Sequence, residues 1–76
     1  MPHVVVKMWA GKSEAQKTAL AQAMVEALKS TLGSSDSSIS VAIEDVAPEA
    51  WMGQVYEPEI APQLESLYKK PGYGPG

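Results

Sequence analysis

His3-Val4-Val5-Val6-Lys7-Met8-Trp9, followed after a short gap by Ser13-Glu14-Ala15-Gln16, decides the architecture of this chain. The first stretch is dominated by β-branched residues, which suit a pleated, half-buried surface, and it reads as a strand. Alternation puts Val4, Val6 and Met8 on one face and His3, Val5, Lys7 and Trp9 on the other. Ala10-Gly11-Lys12 is a turn. Ser13 then suits a helix N-cap, and Gln16 three residues on completes a capping box. From there to about Leu32 the pattern is helical: Leu20, Met24 and Leu28 recur every fourth residue, and Ala21, Val25 and Leu32 widen the stripe. Gly33 fits the position just past the helix end.

Working outward, Ser34 to Ser37 form a polar connection, and residues 38–46 read as a second strand. There Ile39, Val41 and Ile43 alternate with Ser40, Ala42 and Glu44. Strand, helix and strand in this order make a β-α-β unit with parallel strands and a right-handed crossover. Pro48 and Gly53 interrupt the next stretch, which predicts a short turn or 3₁₀ segment carrying Trp51. Glu57-Pro58-Glu59 opens a second helix, with Ile60, Leu64 and Leu67 along one side, Lys69-Lys70 at its C-terminus and Pro71 as its stop. The whole of 1–76 reads as one domain, with 69–76 a mobile tail whose Tyr73 is available to cover a partner's pocket.

Composition narrows the functional classes. Apolar residues make up 45% and charged residues 20%, an ordinary globular balance. No apolar run approaches the roughly 20 residues of a membrane helix, and no basic segment leads into an apolar one as in a secretory signal. A cytoplasmic location is expected, without a membrane partner. The net charge of −3 and the scattering of the six cations argue against a nucleic-acid partner. All six cations are lysines, so the bidentate fork of arginine is missing. With no cysteine and one histidine, His3, thiolate zinc sites, paired-histidine metal sites and a cysteine nucleophile are excluded. No metal or other cofactor is expected.

A chain of this length buries only about 60–65% of its unfolded surface, and association is the remedy still open to it. Two parallel strands are too few for a stable sheet, and both edges are open. Pairing edges across a two-fold axis gives a four-stranded sheet and a homodimer.

One position carries chemistry. Pro2 directly precedes the first strand. Methionine before a small residue is commonly removed, which leaves Pro2 with a secondary amine able to act as base or nucleophile. Held at the root of a core strand, that amine is far more rigid than most termini. Apolar surroundings and a nearby cation would lower its pKa toward neutrality, where general-base catalysis is most effective. The plainer reading is a proline starting a strand where no N–H is needed.

Pro2 with its β-branched run, Gly11-Lys12-Ser13-Glu14-Ala15-Gln16-Lys17, Ser38-Ile39-Ser40-Val41-Ala42-Ile43-Glu44, and Pro48-Glu49-Ala50-Trp51 together resemble the 4-oxalocrotonate tautomerase family. Glu59-Ile60-Ala61-Pro62-Gln63 and Lys69-Lys70-Pro71-Gly72-Tyr73 resemble its dimeric bacterial phenylpyruvate tautomerase branch. The resemblance implies an α/β fold of the β-α-β tautomerase type with a C-terminal helix, two parallel strands per chain being completed to four by dimerisation. It implies a cofactor-independent keto–enol isomerase acting on a small enol or keto acid such as phenylenolpyruvate, with Pro2 as the base. Lys12 and Ser40 fall where the family has substrate-binding arginines, and Trp51 falls at its aromatic wall. A lysine offers a point charge and a serine only a hydroxyl, which favours a monoacid with an apolar body over a diacid.

Other readings accompany these. Lys12 also suits a solvated turn, Ser40 a solvent-facing strand position and Trp51 the core or an interface, while His3 reads first as a strand histidine satisfied by a neighbour and second as a modulator of the amine. A proline-based hydratase would need a carboxylate to activate water, and Glu44 and Asp45 lie at a strand end away from Pro2. A non-catalytic oligomeric module on the same fold, binding a small acid or a protein, is the alternative that the missing arginines favour.

Overall fold

The β-branched run forms strand β1 (His3–Trp9), and the capped stripe forms helix α1 (Glu14–Leu32) in the computed structural model, which describes residues 1–76. Ser13 holds the helix start. Its hydroxyl accepts from the Gln16 backbone N–H at 3.1 Å, and the Gln16 side chain accepts from the Ser13 N–H at 2.9 Å. Gly33 ends the helix in the left-handed region (φ 70°), where its N–H bonds back to the Lys29 carbonyl. A 3₁₀ turn (Asp36–Ser38) leads into strand β2 (Ser40–Val46).

The strands are parallel and in register from His3 opposite Ser40 to Trp9 opposite Val46. Hydrogen bonds extend the pairing at both ends, from the Ser40 N–H to the Pro2 carbonyl (3.2 Å) and from the Ala10 N–H to the Val46 carbonyl (3.0 Å). Helix α1 half-buries Leu20, Ala21, Met24, Val25 and Leu28, the expected stripe, while Leu32 is exposed. Val4, Val6 and Met8 are half-buried, whereas His3, Val5 and Trp9 on the opposite face stay exposed.

The chain after β2 departs from expectation. A 3₁₀ turn (Pro48–Ala50) brings in Trp51, as read, but helical structure does not wait for Glu57. A π-helix (Met52–Ile60) follows directly, then a 3₁₀ segment (Ala61–Ser66). Pro58 therefore sits inside a helix rather than in its first turn. A proline there has no N–H to donate, and its ring crowds the carbonyl one turn back; the backbone widens to π geometry before it and tightens to 3₁₀ after it. Lys69 and Lys70 lie beyond the last helical residue and do not cap a helix. Ile60, Leu64 and Leu67 are nonetheless half-buried, as their spacing predicted.

Only Val46, Val55 and Tyr56 are buried, so the core sits where the end of β2 meets the π-helix. Lys7, on the face of β1 opposite α1, forms an ion pair with Glu59 of the π-helix and a longer one with Glu44 (3.9 Å). The hydrogen bond that Lys7 donates to Glu59, with the charges of Glu59 and Glu44, outweighs partial desolvation and raises the Lys7 pKa above 10.5. No helix is long and apolar enough to cross a membrane.

Candidate active site

The residues with chemical potential fall at two ends of the sheet and over the face between them. At the first end, Pro2 is half-buried and its carbonyl is tied to the Ser40 N–H, while Met1 before it is fully exposed. Ser40 and His3 face each other in the register, and the His3 Nδ1 lies 2.6 Å from the Ser40 hydroxyl. Pro2, His3 and Ser40 thus make one hydrogen-bonded group at the N-terminal ends of the strands.

Lys12 lies at the opposite end, separated from this group by seven residues of strand, which at about 3.3 Å per residue is roughly 20 Å. Trp51 lies between them over the face of β1, beside Val5 and Lys7 as well as Trp9. Lys12 borders a hollow of about 180 Å³ with Met8, Gln16, Lys17 and Leu20. Trp51 borders a larger, mostly apolar cavity of about 340 Å³ with Trp9, Pro48, Met52 and Tyr73. Within one chain, then, the four predicted site residues do not meet.

The lysines differ in how free they are. Lys17 bonds Asp45 at 2.6 Å, and this bond chiefly raises its pKa above 10.5; Lys29 pairs with Glu26 and Asp36. Lys12 has no ion pair and remains available to an incoming anion. Asp45 and Glu44 are engaged by Lys17 and Lys7, and they lie at the end of β2 away from Pro2. No group of three or more histidine, cysteine or acidic side chains is gathered to hold a metal ion.

Two partnerships were not read from the sequence. The His3–Ser40 pair depends on strand register, which alternation alone does not fix. Tyr73 packs its ring against buried Tyr56 (centroids 5.7 Å apart, planes at 51°) and accepts a hydrogen bond from the Trp51 indole N–H at 2.8 Å. Only the aromatic character of Tyr73, in an otherwise proline- and glycine-rich stretch, signalled that contact.

Two parallel strands bridged by a capped helix, with a proline heading the first strand, define the class of small β-α-β proteins built on a proline-rooted strand. The family described as "Tautomerase enzyme" matches residues 2–56. The chain is 46% identical over 74 residues to Tautomerase PptA of Cronobacter sakazakii, covering 96% of this chain and 97% of that one. It is 45% identical over 74 residues to a probable tautomerase of Xylella fastidiosa, covering 97% and 90%. Among solved structures, TomN, a 4-oxalocrotonate tautomerase homologue of the tomaymycin biosynthetic pathway, superposes with a TM-score of 0.64 at 32% identity, over 66% of this chain and 77% of that one. This chain belongs to the tautomerase family, a family of isomerases.

Proposed function

We propose that this tautomerase interconverts enol and keto forms of a monoacid enol pyruvate such as phenylenolpyruvate, without a cofactor, and that Pro2 is its base once Met1 is removed. The prolyl nitrogen accepts the proton of the 2-hydroxyl, and the O–H electron pair becomes the C2=O π bond. The C2=C3 pair takes a proton back from the prolyl ammonium at C3, which gives the ketone and regenerates the amine. Lys12 holds the carboxylate, Ser40 offers a hydroxyl to the developing charge, and Trp51 keeps water from the reacting carbon.

The observation that carries this reading is the setting of Pro2: half-buried at the root of β1, tied by its carbonyl to Ser40, and next to a fully exposed Met1. The separation of Pro2 and Ser40 from Lys12 supports a composite site. A two-fold axis normal to the sheet pairs like edges antiparallel, bringing the Pro2 end of one chain against the Lys12 end of the other. A homodimer then carries two equivalent sites.

The test is ketonisation of phenylenolpyruvate followed by ultraviolet absorbance, on protein shown by mass to begin at Pro2. Pro2→Ala is expected to lower kcat by about 10²- to 10⁴-fold, the usual range for a lost general base. A wild-type rate equal to buffer, or one that survives the substitution, overturns the reading.

A further inference from the structure

The residues lining the cavity beside Trp51 carry few polar groups, among them the Tyr73 hydroxyl. The Tyr73 hydroxyl accepts the Trp51 indole N–H, which fills one of its lone pairs and fixes its direction, while its own proton has no acceptor in the chain. The remaining lining, Trp9, Pro48, Trp51 and Met52, is apolar and contains two flat indoles. A volume of about 340 Å³ lies within the range of roughly 300–1,000 Å³ typical of small-molecule sites. Buried Tyr56 backs the Tyr73 ring, so the phenol is held in place from behind as well as at its tip.

We propose that this cavity receives the aryl ring of the substrate and that Tyr73 is a specificity residue, donating a hydrogen bond to an oxygen carried on the far edge of that ring. The inference rests on the tautomerase reading given above and deepens it: the substrate class becomes aryl enol pyruvates, with para-oxygenated rings preferred over plain phenyl. The physical reason is the asymmetry of hydrogen bonding. In a mostly apolar cavity a fixed hydroxyl donor rewards a ring that brings an acceptor and gives a plain ring no such bond. Tyr73 lies outside residues 2–56, the span matched to the family, but within the segment aligned with Tautomerase PptA.

Two readouts test this on the full-length dimer. The first is the ratio of kcat/KM for para-hydroxyphenylenolpyruvate to that for phenylenolpyruvate, in wild type and Tyr73→Phe. The second is titration of tryptophan emission with the unreactive acids 4-hydroxyphenylacetate and phenylacetate, which needs no turnover. Wild type is expected to favour the hydroxylated member of each pair by about three- to tenfold, and Tyr73→Phe, which keeps the ring and its packing, to bring both ratios to about one. Ratios that Tyr73→Phe leaves unchanged, or a wild type indifferent to the hydroxyl, overturn the proposal. If wild type turns over neither enol, the tautomerase reading has failed, and the titration still decides whether the cavity selects an oxygenated ring.

Discussion

Lys12 is, with Lys69 and Lys70 of the tail, one of three lysines without an ion pair in a chain that has no arginine. Lys7, Lys17 and Lys29 are neutralised by acids of their own chain, so a substrate carboxylate meets Lys12 as a free point charge. That carboxylate is the same in enol, transition state and ketone, and an interaction with it is uniform binding that appears in KM rather than kcat. Lys12→Ala is therefore expected to raise KM for phenylenolpyruvate about tenfold with kcat nearly unchanged, and Lys12→Arg to restore most of the loss, as steady-state kinetics would show. Pro2 stood out as a candidate by position and residue type, whereas Lys12, Ser40 and Trp51 were candidates through the family resemblance alone. Their distribution was not legible. Only the strand register and packing reveal that Pro2 and Ser40 share one end, that Lys12 lies past the other, and that Trp51 lies over the face of β1 between them.

Each element of the β-α-β unit announces itself locally, and this is why β1 and α1 were legible almost to the residue. β1 is a β-branched run, and α1 carries a capping box at one end and a left-handed glycine at the other. Ser13→Ala removes the side-chain half of that box and should cost about 1 kcal/mol, read as a drop in thermal midpoint of roughly 4–8 °C. The segment after β2 was not legible in the same way. Gly53, Pro58 and Pro62 argue against a helix by propensity, yet burial of Val55 and Tyr56 against the end of β2 draws the chain into one. The Lys7–Glu59 pair ties this irregular helix to β1, and it fixes a pH dependence. Its bond raises the folded Lys7 pKa above that of the unfolded chain, so the stabilisation is fully present below about pH 10.4. It is lost as pH rises through the folded value. The thermal midpoint should thus hold steady from pH 8 to 10 and fall above that, and the alkaline fall should be shallower in Lys7→Met, measured by circular dichroism.

The whole molecule is too open for its mass. A monomeric domain of this size exposes about 4,500 Å² and has a radius of gyration near 11.4 Å, against 5455 Å² and 14.2 Å here. Val5 and Trp9 contribute to that excess from the sheet face opposite α1, and both strands present free edges. On the proposed dimeric reading a second copy would cover such surface, and the roughly 20 Å between Pro2 and Lys12 would require that copy for the chemistry too. This makes a prediction that single-chain sites cannot meet. Pro2→Ala and Lys12→Ala chains, each impaired alone under subsaturating substrate, are unfolded together and refolded as an equal mixture. Half of the resulting dimers are mixed, and in each of these one site unites an intact Pro2 with an intact Lys12 while the other carries both lesions. Phenylenolpyruvate turnover should then reach about a quarter of the wild-type rate above what the parental dimers contribute. If Pro2 and Lys12 of the same chain served one site, every site in the mixture would carry a lesion, and activity would stay at the average of the two parents.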